Sequence, residues 1–280
     1  MTDAELRALI SLLEDSDPQI RAHVQDKLLS MGLPVIPTLE EVWETESDAQ
    51  VQEQIEELIF TIQSSRTMDD LLEWQAGGGR SLLEGWYYIS RYQFPELDFS
   101  TYRNYINRVV SRIWLELRAG MSMAERLSVV NRMIYEREKY RASDRALYDP
   151  AGHFLNTLID TKKGSPLSLG MLYLCVCDEL ELPVRGLMMP EYFALMYQDP
   201  QTEFFIDVFN NGKFFLRRDL VVFLRKMDIK DETPYLEAAS HPRIVMTLCR
   251  VLIQAYQRER KTALSRKFEV LLQALDAAAE

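Results

Sequence analysis

The sequence predicts an α+β fold that is predominantly helical and carries one small antiparallel sheet. Three observations predict it. Apolar residues recur at helical spacing behind capping residues through most of the first 180 positions and over the last 40. Four short apolar runs, VRGLMM from 184, YFALMY from 192, EFFIDVF from 203 and KFFL from 213, crowd together around turn residues. A long apolar helical stretch directly precedes these runs, and a helix followed by an antiparallel meander is the order of an α+β core.

The first 66 residues contain an internal echo. SDPQIRAHVQDKLL from Ser16 matches SDAQVQEQIEELIF from Ser47 at a spacing of 31, pairing Asp17 with Asp48, Ile20 with Val51, Val24 with Ile55 and Leu28 with Ile59. Each copy opens on capping residues and then places apolar side chains at i, i+4 and i+8 on one helix face. Two stacked helical hairpins are expected, broken by MGLPVIP at 31–37, and the pair resembles HEAT-type repeats with fewer copies than a free-standing array needs.

Helical patterning continues from 67 to 148 with one clear break, AGGGR at 76–80. That glycine run lacks both the Lys-Ser/Thr ending and the preceding strand of a phosphate-binding loop, so it reads as a flexible connection. A helix over STYRNYINRVVSRIWLEL is expected with Ser100 as its cap, and another over SMAERL with Ser122 and Glu125 as a capping box. Gly164 ends one helix, Pro166 suits the first turn of the next, and apolar residues run on to Leu180 before Pro183. NNG at 210–212 joins the last two strands as a hairpin. Met188, Met189 and Met196 read as core filling. The chain closes on two amphipathic helices, one with Ile244, Leu248, Val251, Leu252 and Ala255 on a face, the other with Leu264, Phe268, Leu271, Leu272 and Leu275.

Composition narrows the function classes. A chain of 280 residues that is 47% apolar can bury a large core. Residues 1–66 hold 14 acidic against 4 basic side chains, while 241–280 hold 7 basic against 4 acidic. Such an acidic third repels phosphate, so nucleic acid is not expected as a partner, and RERK at 258–261 reads as a solvated turn. No apolar run approaches the roughly 18 residues of a membrane span, and the acidic N-terminus lacks the pattern of a signal peptide, so a cytoplasmic protein without membrane contact is expected. Cys175, Cys177 and Cys249 are odd in number and read as reduced, buried thiols, with no metal-ligand or cofactor motif.

FLNTLIDTKKGSPLSLGMLYL, LPVRGLMMPEYF and FIDVFNNGKFFL together resemble the bacterial transglutaminase-like proteins of the SirB type, whose pattern runs Phe-Leu-Asn, Arg-Gly-Ile-Pro-Ile-Ser-Leu, Pro-Gly-His-Phe and Ile-Asp-Pro-Phe. The resemblance covers roughly residues 80 to 280, from FPELD at 94–98 to a terminal helical pair like a tetratricopeptide repeat. Together with the echo over the first 66 residues, it implies three regions: acidic HEAT-like repeats over 1–66, a helical and transglutaminase-like core over 67–230, and tetratricopeptide-like helices over 231–280. In that superfamily a Cys at a helix start is the nucleophile, a His on the next strand moves the proton and an Asp on the following strand orients the imidazole. Matching motif to motif puts Pro166 at the nucleophile position, Tyr192 at the histidine and Asp207 at the acid, with Asn156, Gly164, Ser168 and Glu191 as candidates to line the cleft.

A tyrosine, with an ordinary pKa of about 10, is a poor base at neutral pH. The resemblance therefore implies a catalytically degenerate protein that binds a protein or peptide, with Asp207 bonded to the Tyr192 hydroxyl or to nearby backbone. His23, His153 and His241 read as surface or capping residues. The alternative is a weak hydrolase or acyl transferase in which Ser168 is the nucleophile and Lys162 or Lys163 the base, or in which Glu191 and Asp207 form a carboxylate pair.

Overall fold

The computed structural model describes residues 2–189, 192–229, 231 and 233–278. The chain forms two compact units, Met1–Asp70 with Arg91–Glu96, and Leu71–Ser90 with Leu97–Glu280.

In the first unit α1 (Asp3–Ser11) opens on a capping box between Thr2 and Glu5 and is followed by α2 (Pro18–Met31), α3 (Ile36–Thr45) and the start of α4 (Ala49–Ala76). The sequence echo is a repeated cap. Asp17 accepts the Gln19 N–H and Asp48 the Gln50 N–H, at 2.8 Å in both copies. Behind the caps Val24 and Leu28 of one copy and Val51 and Ile55 of the other bury in a common core with Ile10, Leu13 and Leu39. Gly32 ends α2 at φ 66, a conformation costly to other residues. The second copy does not close as its own hairpin: α4 runs unbroken for 28 residues because no glycine or proline occurs before Gly77.

In the second unit α5 (Leu82–Gln93), which runs on into the first, precedes α6 (Phe99–Glu116) and α7 (Met123–Asn131). Asp98, not Ser100, caps α6: its carboxylate reaches the Ser100 and Thr101 N–H groups at 3.3 and 3.0 Å, and Ser100 lies already inside the first turn. The Ser122–Glu125 capping box forms as expected. A short parallel bridge pairs β1 (Arg141–Ala142) with β2 (Lys163–Gly164), on either side of α8 (Leu155–Thr161). Then comes α9 (Pro166–Glu179), in which every residue from Pro166 to Cys177 is buried. A helix apolar on all sides is a central helix; α6 packs on one side of it and the sheet on another.

That sheet is a four-stranded antiparallel meander, β3 (Val184–Met189), β4 (Tyr192–Gln198), β5 (Glu203–Asp207) and β6 (Lys213–Phe215), in sequential order. Phe193 of β4 seats its ring between Gly170 of α9 and Gly186 of β3; a Cβ at either glycine would fall 2.4 or 2.7 Å from it. Because strand side chains alternate, Tyr192, Ala194 and Met196 point to the other face, where they meet Leu220 and Leu224 of α10 (Arg217–Lys226). The β5–β6 turn passes through Asn211 at φ 56 and Gly212 at φ 74. Asn131 holds it there, its Nδ2 donating to the Gly212 carbonyl at 2.7 Å and its Oδ1 accepting the Tyr173 hydroxyl of α9 at 2.8 Å.

The terminal helices α11 (His241–Arg258) and α12 (Thr262–Ala277) bury Ile244, Leu248, Leu252 and Ala255 against Phe268, Leu271 and Leu275, with Tyr256 stacked on Phe268 at 5.7 Å. All three cysteines are free and buried. Among the described residues no helix is long and apolar enough to cross a membrane.

The Gly170–Phe193 contact is directly testable. Gly170→Ala should destabilise the fold by about 1–3 kcal/mol through overpacking, read as a lowered denaturant midpoint at unchanged slope; Gly120→Ala, where a Cβ meets nothing within 4 Å but the backbone sits at φ 86, should show only the smaller cost of a left-handed backbone.

Candidate functional site

The N-terminal end of α9 gathers four polar residues that the local sequence explains. Ser165 is the cap, its Oγ accepting the Ser168 N–H at 3.2 Å, and Pro166 fills the first position, where no N–H is needed. Upstream, Asp149 caps the tight turn Pro150–His153. Gly152 there lies so close to Ala146 that a Cβ would fall 2.5 Å from it, and its carbonyl accepts the Ser168 hydroxyl at 2.8 Å. The Ser165 Oγ stands 3.0 Å from His153 Nδ1 and 3.2 Å from Ser168 Oγ.

This cluster is closed. His153 is 2% exposed, Ser165 1% and Ser168 0%. Burial pushes the His153 imidazole down to about 4, partly offset by the Leu147 carbonyl and Asp149, so the ring is neutral at pH 7. His153 is thus neither a surface nor a capping residue. The carbonyl of the same residue accepts the Trp86 indole N–H at 2.9 Å, and the adjoining helix start donates the Leu155 N–H to Ser90 Oγ at 3.0 Å. The Asp-Pro-Ala-Gly sequence signals only a tight turn there; that the turn is covered depends on contacts with distant segments.

Around the cluster, a Cβ at Gly164 would lie 2.6 Å from Ser168 Oγ, so only glycine fits there. The Asn156 Oδ1 is buried. Lys162 is engaged elsewhere: its ammonium bonds to the Tyr105 hydroxyl at 2.5 Å and the Tyr140 hydroxyl at 3.2 Å, lies over both rings, and reaches Glu138 at 3.8 Å. Burial lowers its pKa, against the pull of Glu138 and Asp160. Ser168 spends its hydroxyl proton on backbone carbonyls, so no hydrogen bond joins it to Lys162. Lys163 is exposed.

Asp207 sits at the end of β5 and closes the hairpin. Its Oδ1 accepts the Phe209 and Asn210 N–H groups, both at 3.1 Å, and its Oδ2 the Asn210 side-chain amide at 2.5 Å. The Tyr192 hydroxyl faces the same carboxylate; burial first, then Asp207, push that phenol well above its usual range. The Tyr192 ring lies 5.4 Å from Phe223 of α10. Tyr192 and Asp207 therefore share the α10 face of the sheet, while Phe193 takes the face toward Gly170 of α9. Glu191 lies outside the described residues. Burial raises the Cys175 and Cys177 thiols far above their ordinary value and pushes Cys249 up to about 12. Among the described residues no group of three or more His, Cys, Asp or Glu is placed to hold a metal ion.

With this geometry in hand, comparison with known proteins is decisive for the family: residues 100–250, more than half of the chain, match the sequence profile of the transglutaminase-like superfamily. The chain belongs to that superfamily. Every candidate position from Asn156 to Asp207 falls inside the matched span. A UPF0162 protein of Xylella fastidiosa (strain Temecula1 / ATCC 700964) is 25% identical over 125 residues, covering 45% of this chain and 44% of that protein. A UPF0162 protein of Vibrio cholerae is 23% identical over 188 residues, 66% of this chain and 69% of that protein. F-box only protein 21 of Mus musculus is 24% identical over 163 residues, 48% of this chain and 26% of that protein. The chain thus spans less than half the length of the Xylella protein it matches. No solved structure matches the chain.

The buried imidazole of this transglutaminase-like chain sets a pH dependence. Its folded pKa lies below the ordinary value of 6.5, so the stabilisation it contributes is present above 6.5 and is lost as pH falls toward 4. By about pH 5 the loss should reach roughly 2 kcal/mol. In chemical denaturation His153→Gln should show a shallower fall of stability between these pH values than the native chain; parallel curves would refute the assignment.

Proposed function

We propose that this protein is a non-catalytic, SirB-type member of the transglutaminase-like superfamily that acts as a binding scaffold or regulator for a protein or peptide. The observation that carries the reading is the absence of a thiol at the helix start and of an imidazole on the next strand, where the wider superfamily carries them. Pro166 has no side-chain nucleophile, and the Tyr192 phenol, already a weak base, is turned to the α10 face beside a carboxylate that opposes its ionisation. The three cysteines lend further support, since a thiol attacks as thiolate and burial suppresses that form at all three. Ser168 is fully buried and hydrogen-bonded to Gly152, which favours a structural part for it at the helix start.

On this reading the acidic N-terminal helices are HEAT-like and the terminal pair α11–α12 is tetratricopeptide-like; both kinds of helical array offer extended faces to polypeptide partners. The reading also places the protein in the cytoplasm, where reduced thiols persist.

The test combines turnover with labelling. Purified protein should hydrolyse or transfer no amide, ester or peptide substrate above the buffer rate and take no label from a serine-reactive acylating probe. Its three thiols should react with a thiol reagent only after denaturation. Turnover that Ser168→Ala abolishes would establish the hydrolase alternative instead.

A further inference from the structure

We propose that the groove between the end of α6 and the turn after α9 docks a partner polypeptide segment carrying a basic residue beside an apolar one. The proposal rests on the binding reading above and assigns that binding to a particular surface.

Helix α6 buries Ile106, Val109 and Ile113 as its inward stripe. The next two residues turn outward: Trp114 is 69% and Leu115 77% exposed, the highest values among the exposed large apolar side chains of the described residues. Packing of α6 does not require either residue to be apolar. Together with Val110 and Ser111 of α6 and with Glu179, Leu180 and Glu181 at the end of α9, they line a groove of about 530 Å³. An exposed Trp beside a Leu over a groove is the kind of anchor that dominates polypeptide interfaces.

The charge at the end of α9 specifies the occupant. Helix α9 ends in a Schellman arrangement, with the Leu182 N–H bonded to the Cys177 carbonyl at 2.9 Å and the Glu181 N–H to the Asp178 carbonyl at 3.1 Å. The left-handed position of that motif, which favours glycine, holds Glu181 at φ 53. The helix carries no basic residue in its last turn, so Glu179 and Glu181 add negative charge to the negative end of a helix dipole. Asp178 is drawn toward His241, 3.5 Å away, but among the described residues neither Glu179 nor Glu181 has an ion-pair partner. No basic side chain lines the groove. A guanidinium or ammonium entering it would meet two carboxylates and the Trp114 face together, while an apolar neighbour would cover Leu115, Val110 and Leu180.

The test uses the full chain and a labelled amphipathic peptide of leucine and arginine, with its leucine–glutamate counterpart as control, read by fluorescence anisotropy. The arginine peptide should bind and weaken with added salt, and the glutamate peptide should not bind. Trp114→Ala and the double variant Glu179→Gln/Glu181→Gln should each weaken binding at least tenfold; these residues are exposed, and circular dichroism verifies that both variants fold. Equal binding of the two peptides, undiminished binding by the variants, or no binding overturns the proposal. Self-association that Trp114→Ala abolishes, seen by sedimentation, overturns it as well by giving the groove to a second copy. Turnover or acyl labelling in the same preparation would instead sink the non-catalytic reading, whatever the peptides do.

Discussion

The burial of α9 on every side is the constraint from which the rest of the larger unit follows. From Pro166 to Cys177, with sheet against one flank and α6 against another, the helix carries no charged side chain, and its buried N-terminal end takes its hydrogen bonds from inside the protein. That is why Ser165 caps it, why Ser168 bonds back to Gly152, and why an imidazole sits beside them in neutral form. The two cysteines on this helix are buried with it, and that burial raises both thiols far above their ordinary value. Their sulfur atoms serve as small apolar volume in a packed interior.

Much of the fold was legible in the sequence because the signals were local. The four strands, the start of α9 at Pro166 and the capping box at Ser122 each depend on residues within a few positions of one another, and they form where the pattern puts them; Gly164 does not end a helix as expected, because α8 already stops at Thr161 with Lys162 in the left-handed position at φ 60, and Gly164 pairs in β2. Local reasoning failed where two signals competed. Ser100 and Asp98 are both good caps, and the charged acceptor at the earlier position takes both N–H groups. The echo from Ser47 carried no information about where its helix stops, because stopping depends on the glycines at 77–79. His153 was misread because one histidine in a polar turn gives no hint that the turn is folded beneath the start of a helix; that fact resides in contacts between segments.

For the candidate site, the sequence supplied the positions and the structure supplied their orientations. Period-two alternation along β4 means that Phe193 and Tyr192 cannot both face α9, and the glycines at 170 and 186 reserve that side for the phenylalanine ring. Asp207 finds its partners in the hairpin it closes and in the facing phenol. In this member of the transglutaminase-like superfamily the central helix precedes the meander, and the contacts of Phe193, Tyr192 and Asp207 are those of packing and turn closure.

The bridge made by Asn131 has a consequence for engineering the molecule. Hairpin tips are ordinarily the first choice for grafting an epitope or splitting a chain, since little depends on their shape. Here the tip is clasped: one carboxamide grips the turn with its nitrogen and the central helix with its oxygen, and a Cβ at Gly212 would fall 2.1 Å from that oxygen. Lengthening this turn would loosen the hold on α9 itself. At Gly120, in the connection between α6 and α7, a Cβ would meet nothing within 4 Å, so no such clasp holds that connection.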